Sequence, residues 1–259
     1  MLNNYEDFKK EFRFLSGIDL NFYKESQMKR RIDNFVSKNH CQGYVDFLAG
    51  LKRDSDMYKT FITYLTINVS EFYRNPAQWQ TLEETVIPYL IKHFGKRLRI
   101  WSAACSTGDE PYSLAMVFSE YLNPGQFEII ATDLDKEVLA KAKKGLYTEK
   151  SIKGLPEKYR NKFLVKDGEG MYRVSDSLRK CITFREQNLL KDEYPKDVHL
   201  LVCRNVLIYF TDSAKDNIYK EFARSLKRDG ILFVGSTEQI IGADRYGFES
   251  IKSFFYKKL

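Results

Sequence analysis

A loop of small residues, Ala104-Cys105-Ser106-Thr107-Gly108, follows the apolar run 98–103 and leads straight into Asp109-Glu110-Pro111. Small side chains let the backbone approach a ligand at the carboxyl end of a strand, where open α/β sheets form their crevice. The loop has a single glycine in place of G-x-G-x-x-G, and two carboxylates open the helix that follows. They satisfy the positive end of the helix dipole themselves and would repel a pyrophosphate. A dinucleotide or ATP therefore fits poorly, and a cationic or hydroxyl-rich ligand fits better.

The next strand, 127–132, runs into Asp133, about 25 residues after Gly108, the spacing at which an acid accepts hydrogen bonds from ribose hydroxyls. Asp133 is the ribose candidate, with a helix cap as its plain alternative; Asp135 is the better placed cap for a helix over 136–143. Asn188 and Asn205 each follow an apolar strand run. Their amides can read a neutral base without adding charge, or simply shape a turn. Asn68, Ser70 and Arg74 offer an amide, a hydroxyl and a guanidinium within seven residues. An arginine can grip a carboxylate bidentately, the alternative being a capped interdomain turn.

These residues need elements to hold them. Before Asn75 the apolar residues fall at helical spacing: Phe8, Phe12 and Leu15, then Met28, Ile32, Phe35 and Val36, then Tyr58, Phe61, Ile62 and Leu65. That pattern predicts a small helical domain over 1–74. Asn75-Pro76 marks a new helix, Asn as N-cap and Pro as first helical residue, linking the two regions over 75–96. From residue 97 short β-rich runs alternate with helical stretches, the pattern of an α/β domain with a mainly parallel sheet. Strands are expected at 98–103, 127–132, 182–185, 199–203 and 230–235, with a terminal pair around 248–256, and helices at 110–121, 136–143 and 213–226. Residues 147–182 are an insertion holding a helix and a small β-appendage.

Composition sets the outer limits. The chain has 259 residues, 43% hydrophobic and 30% charged, which excludes collagenous, low-complexity and disordered classes. No apolar run approaches the roughly 18 residues of a membrane span, and the opening residues lack a secretion signal, so a cytoplasmic location is expected. Cys41, Cys105, Cys181, Cys203, His40, His93 and His199 show no ligand spacing; no metal is expected, and the thiols read as small buried hydrophobes. A net charge of +7 permits a nucleic acid, an anionic membrane or an acidic protein as partner. Within 24–38, Lys24, Lys29, Arg30, Arg31 and Lys38 surround the apolar stripe, giving either a solvated face or a dock for an acidic helix.

Three long motifs stand in order: Asn68-Val69-Ser70-Glu71-Phe72-Tyr73-Arg74, Trp101-Ser102-Ala103-Ala104-Cys105-Ser106-Thr107-Gly108-Asp109-Glu110-Pro111-Tyr112-Ser113, and Cys203-Arg204-Asn205-Val206-Leu207-Ile208-Tyr209-Phe210. Together they resemble the CheR family of chemotaxis-receptor glutamate methyltransferases, across essentially the whole chain. Residues 24–31, 68–75 and 234–240 are similar to the form found in Gram-positive bacilli. The resemblance implies a class I (Rossmann-like) methyltransferase fold with a helical N-terminal domain and an antiparallel β-subdomain insertion. It also implies S-adenosylmethionine as donor, S-adenosylhomocysteine as product and methyl esters on receptor glutamates, in the service of sensory adaptation.

By the same resemblance Asn68, Ser70, Arg74 and Glu110 would contact the donor and Asp133 its ribose, while Asn188-Leu189 and Asn205-Val206 would surround its adenosine and methionine portions. Arg74 would also orient the accepting carboxylate. Tyr209 would line the pocket, a core aromatic being its other reading. Lys29, Arg30 and Arg31 would meet the acidic surface of the receptors' cytoplasmic helical bundle. The loop 166–171 is shorter than in relatives that grip a receptor's C-terminal pentapeptide, which argues against such a tether. A cytoplasmic monomer, recruited to membrane receptor arrays and binding neither nucleic acid nor the bilayer itself, is expected. Two other readings share the donor site: a methyltransferase acting on RNA or DNA, and a non-catalytic S-adenosylmethionine-binding module that docks on a helical partner.

Overall fold

The structure, a computed structural model, describes residues 4–259. The chain folds as two compact units, one of residues up to Asn68 together with Tyr209–Asn217, the other of Val69–Ile208 with Ile218–Leu259.

The first unit carries helices α1 (Tyr5–Ser16), α2 (Glu25–Lys38), α3 (Tyr44–Arg53) and α4 (Ser55–Leu65). Asn4 caps α1 by accepting from the Asp7 N–H, and Asp54 caps α4 by accepting from the Asp56 and Met57 N–H groups. The predicted apolar stripes turn inward and meet as aromatic rings. Phe8, Phe12, Phe35, Phe47 and Phe61 are all buried, with neighbouring ring centroids 4.8–5.8 Å apart. Truncating any one of them to Ala would cost about 3–5 kcal/mol. Segment 209–217 is tied here through the Lys24 N–H to the Tyr209 carbonyl and the Thr211 N–H to the Phe22 carbonyl.

In the second unit, α5 (Pro76–Thr81) continues through a π-helical turn, Leu82–Val86, into α6 (Ile87–Phe94). Pro88 has no N–H to give the Glu84 carbonyl four residues back, which loosens the ladder there. Asn75 does not cap α5 as the sequence predicts. It sits in the left-handed region (φ 61°) without a capping bond, and its Oδ1 instead accepts from Arg204 at 3.4 Å. The following elements alternate as the sequence pattern requires: β1 (Leu98–Ala103), α7 (Asp109–Phe118), β2 (Phe127–Asp133) and α8 (Lys136–Lys144). The insertion then supplies β3 (Leu146–Thr148), α9 (Glu157–Phe163), β4 (Leu164–Lys166), β5 (Met171–Val174) and α10 (Asp176–Arg179). The chain closes with β6 (Ile182–Glu186), β7 (Val198–Cys203), α11 (Asp212–Ser225), β8 (Leu226–Val234), β9 (Phe248–Lys252) and β10 (Phe255–Lys258).

The seven-stranded sheet has the order β6-β2-β1-β7-β8-β10-β9. It is parallel from β6 to β8, and β10 runs antiparallel to both of its neighbours. This is the Rossmann-like arrangement expected. Strand order reverses between β1 and β7, so the crevice of an open sheet falls at their carboxyl ends, Ala103 and Cys203. The central strands are buried on both faces, β7 along its whole length, as helix-covered parallel strands must be. The appendage is a three-stranded antiparallel sheet, β3-β5-β4, in which β4 and β5 form a hairpin closed by the Asp167 N–H on the Met171 carbonyl.

Candidate functional site

Past the end of β1 the backbone enters the left-handed region three times in five residues, at Ala104 (φ 62°), Ser106 (φ 48°) and Gly108 (φ 92°). Such a conformation costs a non-glycine residue roughly 1–2 kcal/mol, so fixed bonds must hold it. The Cys105 N–H donates to the Thr132 carbonyl at 2.9 Å, the Ser106 N–H to Asp133 Oδ2 at 2.7 Å and the Tyr147 hydroxyl to the Thr107 carbonyl at 2.6 Å. The lone glycine serves packing. A Cβ at Gly108 would lie 2.9 Å from both the Ala142 Cβ and the Tyr147 hydroxyl.

Asp133 is thus more than a strand-end acid. One carboxylate oxygen takes the Ser106 N–H and the other the Asp135 N–H at 3.0 Å, while its carbonyl takes the Gln187 N–H. Asp135, not Asp133, caps α8. Burial pushes the Asp133 carboxyl up to about 6, so it is largely ionised at neutral pH.

The two acids opening α7 face different neighbours. Asp109 is buried, accepts from Thr107 Oγ1 at 2.6 Å and bonds the Ser70 hydroxyl; burial raises its pKa. Glu110 accepts from Ser102 Oγ at 2.8 Å and lies 3.7 Å from Arg204 Nη1. Burial raises it too, against the pull of Arg204.

Sequence spacing alone does not mark Arg204 as a site residue. Its guanidinium is 3% exposed and donates to the Arg74 carbonyl and to Gln78 Oε1, both at 2.7 Å. It therefore ties the end of β7 to the segment 74–78. The sequence signal was a cation directly after six buried strand residues, where charge needs a reason. Nor does sequence spacing mark Glu238. Its carboxylate accepts from the Asn205, Val206, Leu207 and Gly235 N–H groups.

The predicted candidates divide accordingly. Ser70, Arg74, Glu110, Asp133, Asn188, Leu189, Asn205 and Val206 all lie in the second unit. Ser70 is engaged by Asp109. The Asn188 amide oxygen takes the Leu190 N–H at 2.9 Å, an Asx turn, and the Leu189 carbonyl accepts from the Tyr194 hydroxyl. Asn68 and Tyr209 belong to the first unit, where Asn68 Nδ2 donates to Thr66 Oγ1 at 2.8 Å.

The three basic residues of α2, also in the first unit, are not equivalent. Lys29 pairs with Asp33 at 2.8 Å. Arg31 donates to the Tyr64 carbonyl and stacks on its ring at 4.4 Å. Arg30 is exposed.

At this edge of the sheet Asp109, Glu110, Asp133 and Glu238 stand against the cations Arg74 and Arg204, an acidic excess in a chain of net charge +7. Three polar atoms in the surrounding loops, Ser106 Oγ, Gln187 Oε1 and Asn205 Oδ1, are buried without a hydrogen-bond partner among the described residues. Each unmet bond costs about 1–3 kcal/mol, a cost that a bound molecule with hydroxyl and amino groups would offset. The donor set fits S-adenosylmethionine: carboxylates for a net cation and for a ribose, and amides for a base.

Comparison with known proteins agrees. Residues 68–255 match the family model described as CheR methyltransferase, SAM binding domain, and residues 3–66 the one described as CheR methyltransferase, all-alpha domain. A chemotaxis protein methyltransferase of Listeria monocytogenes is 44% identical over 93% of this chain and 92% of the relative. That of Escherichia coli is 34% identical over 89% of this chain and 82% of the relative. The chain belongs to the CheR methyltransferase family.

Proposed function

We propose that this protein transfers the methyl group of S-adenosylmethionine to glutamate side-chain carboxylates of chemotaxis receptors, giving methyl esters and S-adenosylhomocysteine. One observation carries the reading: a fixed, buried, acid-rich group of strand-end residues at the switch point of the sheet, with Asp133 held by N–H bonds from Ser106 and Asp135 and unmet polar atoms in the neighbouring loops. The relatives' names, chemotaxis protein methyltransferase, support an acceptor within the chemotaxis machinery.

When bound, S-adenosylmethionine supplies a methyl group made electrophilic by its sulfonium. Asp133 accepts from the ribose hydroxyls, and Glu110 balances the cationic methionine end. Asn188, Leu189, Asn205 and Val206 border the base and the adjoining chain, with Ser70 completing the contacts. An ordinary glutamate has a pKa near 4.3, so the acceptor is already a carboxylate at neutral pH and needs no general base. Charge is neutralised as the methyl moves, and the site's task is to align and desolvate both groups. Arg74, whose guanidinium has no hydrogen-bond or ion-pair partner among the described residues, orients the acceptor. Held too tightly, the ground-state carboxylate would react more slowly.

The basic side of α2 meets the acidic receptor helices, with Arg30 its most available cation. The four-residue loop of the β4–β5 hairpin argues against a pentapeptide tether. We place the protein as a monomer at the cytoplasmic face of receptor arrays. Tritium transfer from labelled S-adenosylmethionine to cytoplasmic receptor fragments tests the reading. Label released as methanol by mild alkali is expected. Label only in added RNA, base-stable label, or donor binding without S-adenosylhomocysteine would reject it.

A further inference from the structure

Beyond β7 the chain turns through Asn205, which is left-handed (φ 60°), and presents three successive N–H groups, those of Asn205, Val206 and Leu207. The Gly235 N–H at the end of β8 joins them. Four converging N–H groups form an anion nest, the device other folds use for a phosphate. Here a side chain of the same protein fills it. Glu238, 5% exposed, divides its oxygens evenly: Oε2 takes Asn205 at 2.5 Å and Gly235 at 2.9 Å, and Oε1 takes Val206 and Leu207, both at 2.7 Å. The approach is so close that a Cβ at Gly235 would lie 2.5 Å from Oε2 and 2.8 Å from the Asn205 nitrogen. The residue fixed in this way, Asn205, carries the buried, unpartnered Oδ1.

We infer that Glu238 is a positioning residue: its carboxylate occupies the nest, sets the turn Asn205–Leu207 and so holds the Asn205 amide ready for the donor, while closing the nest to phosphate. The inference rests on the donor reading above. Every pairing in the nest is intramolecular, so the turn is formed before any ligand arrives, which lowers the cost of ordering on binding.

Calorimetry with S-adenosylmethionine on the full chain, parent and variants, tests this. Glu238→Gln keeps one acceptor oxygen for four N–H groups and turns an N–H against N–H on the other side; donor Kd and donor KM should rise about tenfold or more, with the receptor KM at saturating donor unchanged. Glu238→Ala should lose more, and formate at about 50 mM should return its Kd to within about threefold of the parent by refilling the nest, without affecting the parent. A residue that only stabilised the fold would give no such rescue. A folded Gln variant within about twofold of the parent, or an Ala variant weakened yet deaf to formate, overturns the inference. Should the Ala variant not fold, Gly235→Ala, which wedges the carboxylate away, must show the same donor loss. If the parent itself gives no heat with the donor, the functional reading fails, and the nest is then judged by formate alone: uptake by the Ala variant and not the parent upholds it, and no uptake refutes it.

Discussion

Replacing Asp133 by Asn separates the ribose anchor from the fold. In the parent, a rise from 3.8 to about 6 means that carrying the charge in this buried position costs about 3 kcal/mol. The sign follows from linkage. A raised acid favours the folded state below its unfolded pKa, and that contribution falls away as pH climbs from 3.8 to about 6. At pH 7 the Asn variant escapes the penalty. It also loses an acceptor for the Ser106 or the Asp135 N–H, worth about 1–3 kcal/mol. The two nearly cancel, so stability at pH 7 should stay within about 2 kcal/mol of the parent. Donor binding has no such offset. Exchanging a carboxylate for a neutral amide opposite a ribose hydroxyl removes about 1.5–3 kcal/mol, or about 10- to 150-fold in Kd. Calorimetry with S-adenosylhomocysteine reads the second quantity and thermal unfolding without ligand the first. An Asn variant that binds within about threefold of the parent would refute the ribose assignment; one that unfolds at far lower temperature would show that the carboxylate serves mainly to hold the loop.

Two further outcomes follow from the same geometry. Because burial sets the Asp133 carboxyl near 6, about a tenth of it is ionised at pH 5. Donor affinity should therefore fall about tenfold between pH 7.5 and pH 5, and Asp133→Asn should flatten the profile; an unchanged slope in the variant assigns the titration to another group. Arg30→Glu should lower the rate on receptor fragments several-fold at low salt and leave donor Kd untouched, since Arg30 is exposed whereas Arg31 is committed to Tyr64. Equal methylation by the variant at low ionic strength would move the receptor contact elsewhere.

Much of the proposed donor site is legible in the sequence because it is local. The apolar runs at β1, β2 and β7 end in the residues proposed to line it, and Asp135 can be told from Asp133 by its place immediately before the first helical residue, Lys136. What escaped the sequence depends on partners distant along the chain. Nothing around Glu238 announces that it will collect N–H groups from residues 205–207, nor does Arg204 reveal that it will cross to Gln78. The Asn75-Pro76 pair reads as a capped helix start, yet Arg204 takes the Asn75 oxygen that would have capped it. In the appendage, β3 and β4 are three residues each, too short for a period of two to show. The left-handed turns at Ala104 and Ser106 fall on residues that favour no such conformation; the bonds of Cys105 and Ser106 to β2 hold the loop in it.

The most direct measurement of the central claim is a crystal structure of the full chain with S-adenosylhomocysteine. The account predicts the ribose hydroxyls on Asp133, the homocysteine end beside Glu110 and the base bordered by Asn188 and Asn205, at the carboxyl ends of β1, β2 and β7. Ligand density at another face, or a ribose turned away from Asp133, would contradict it.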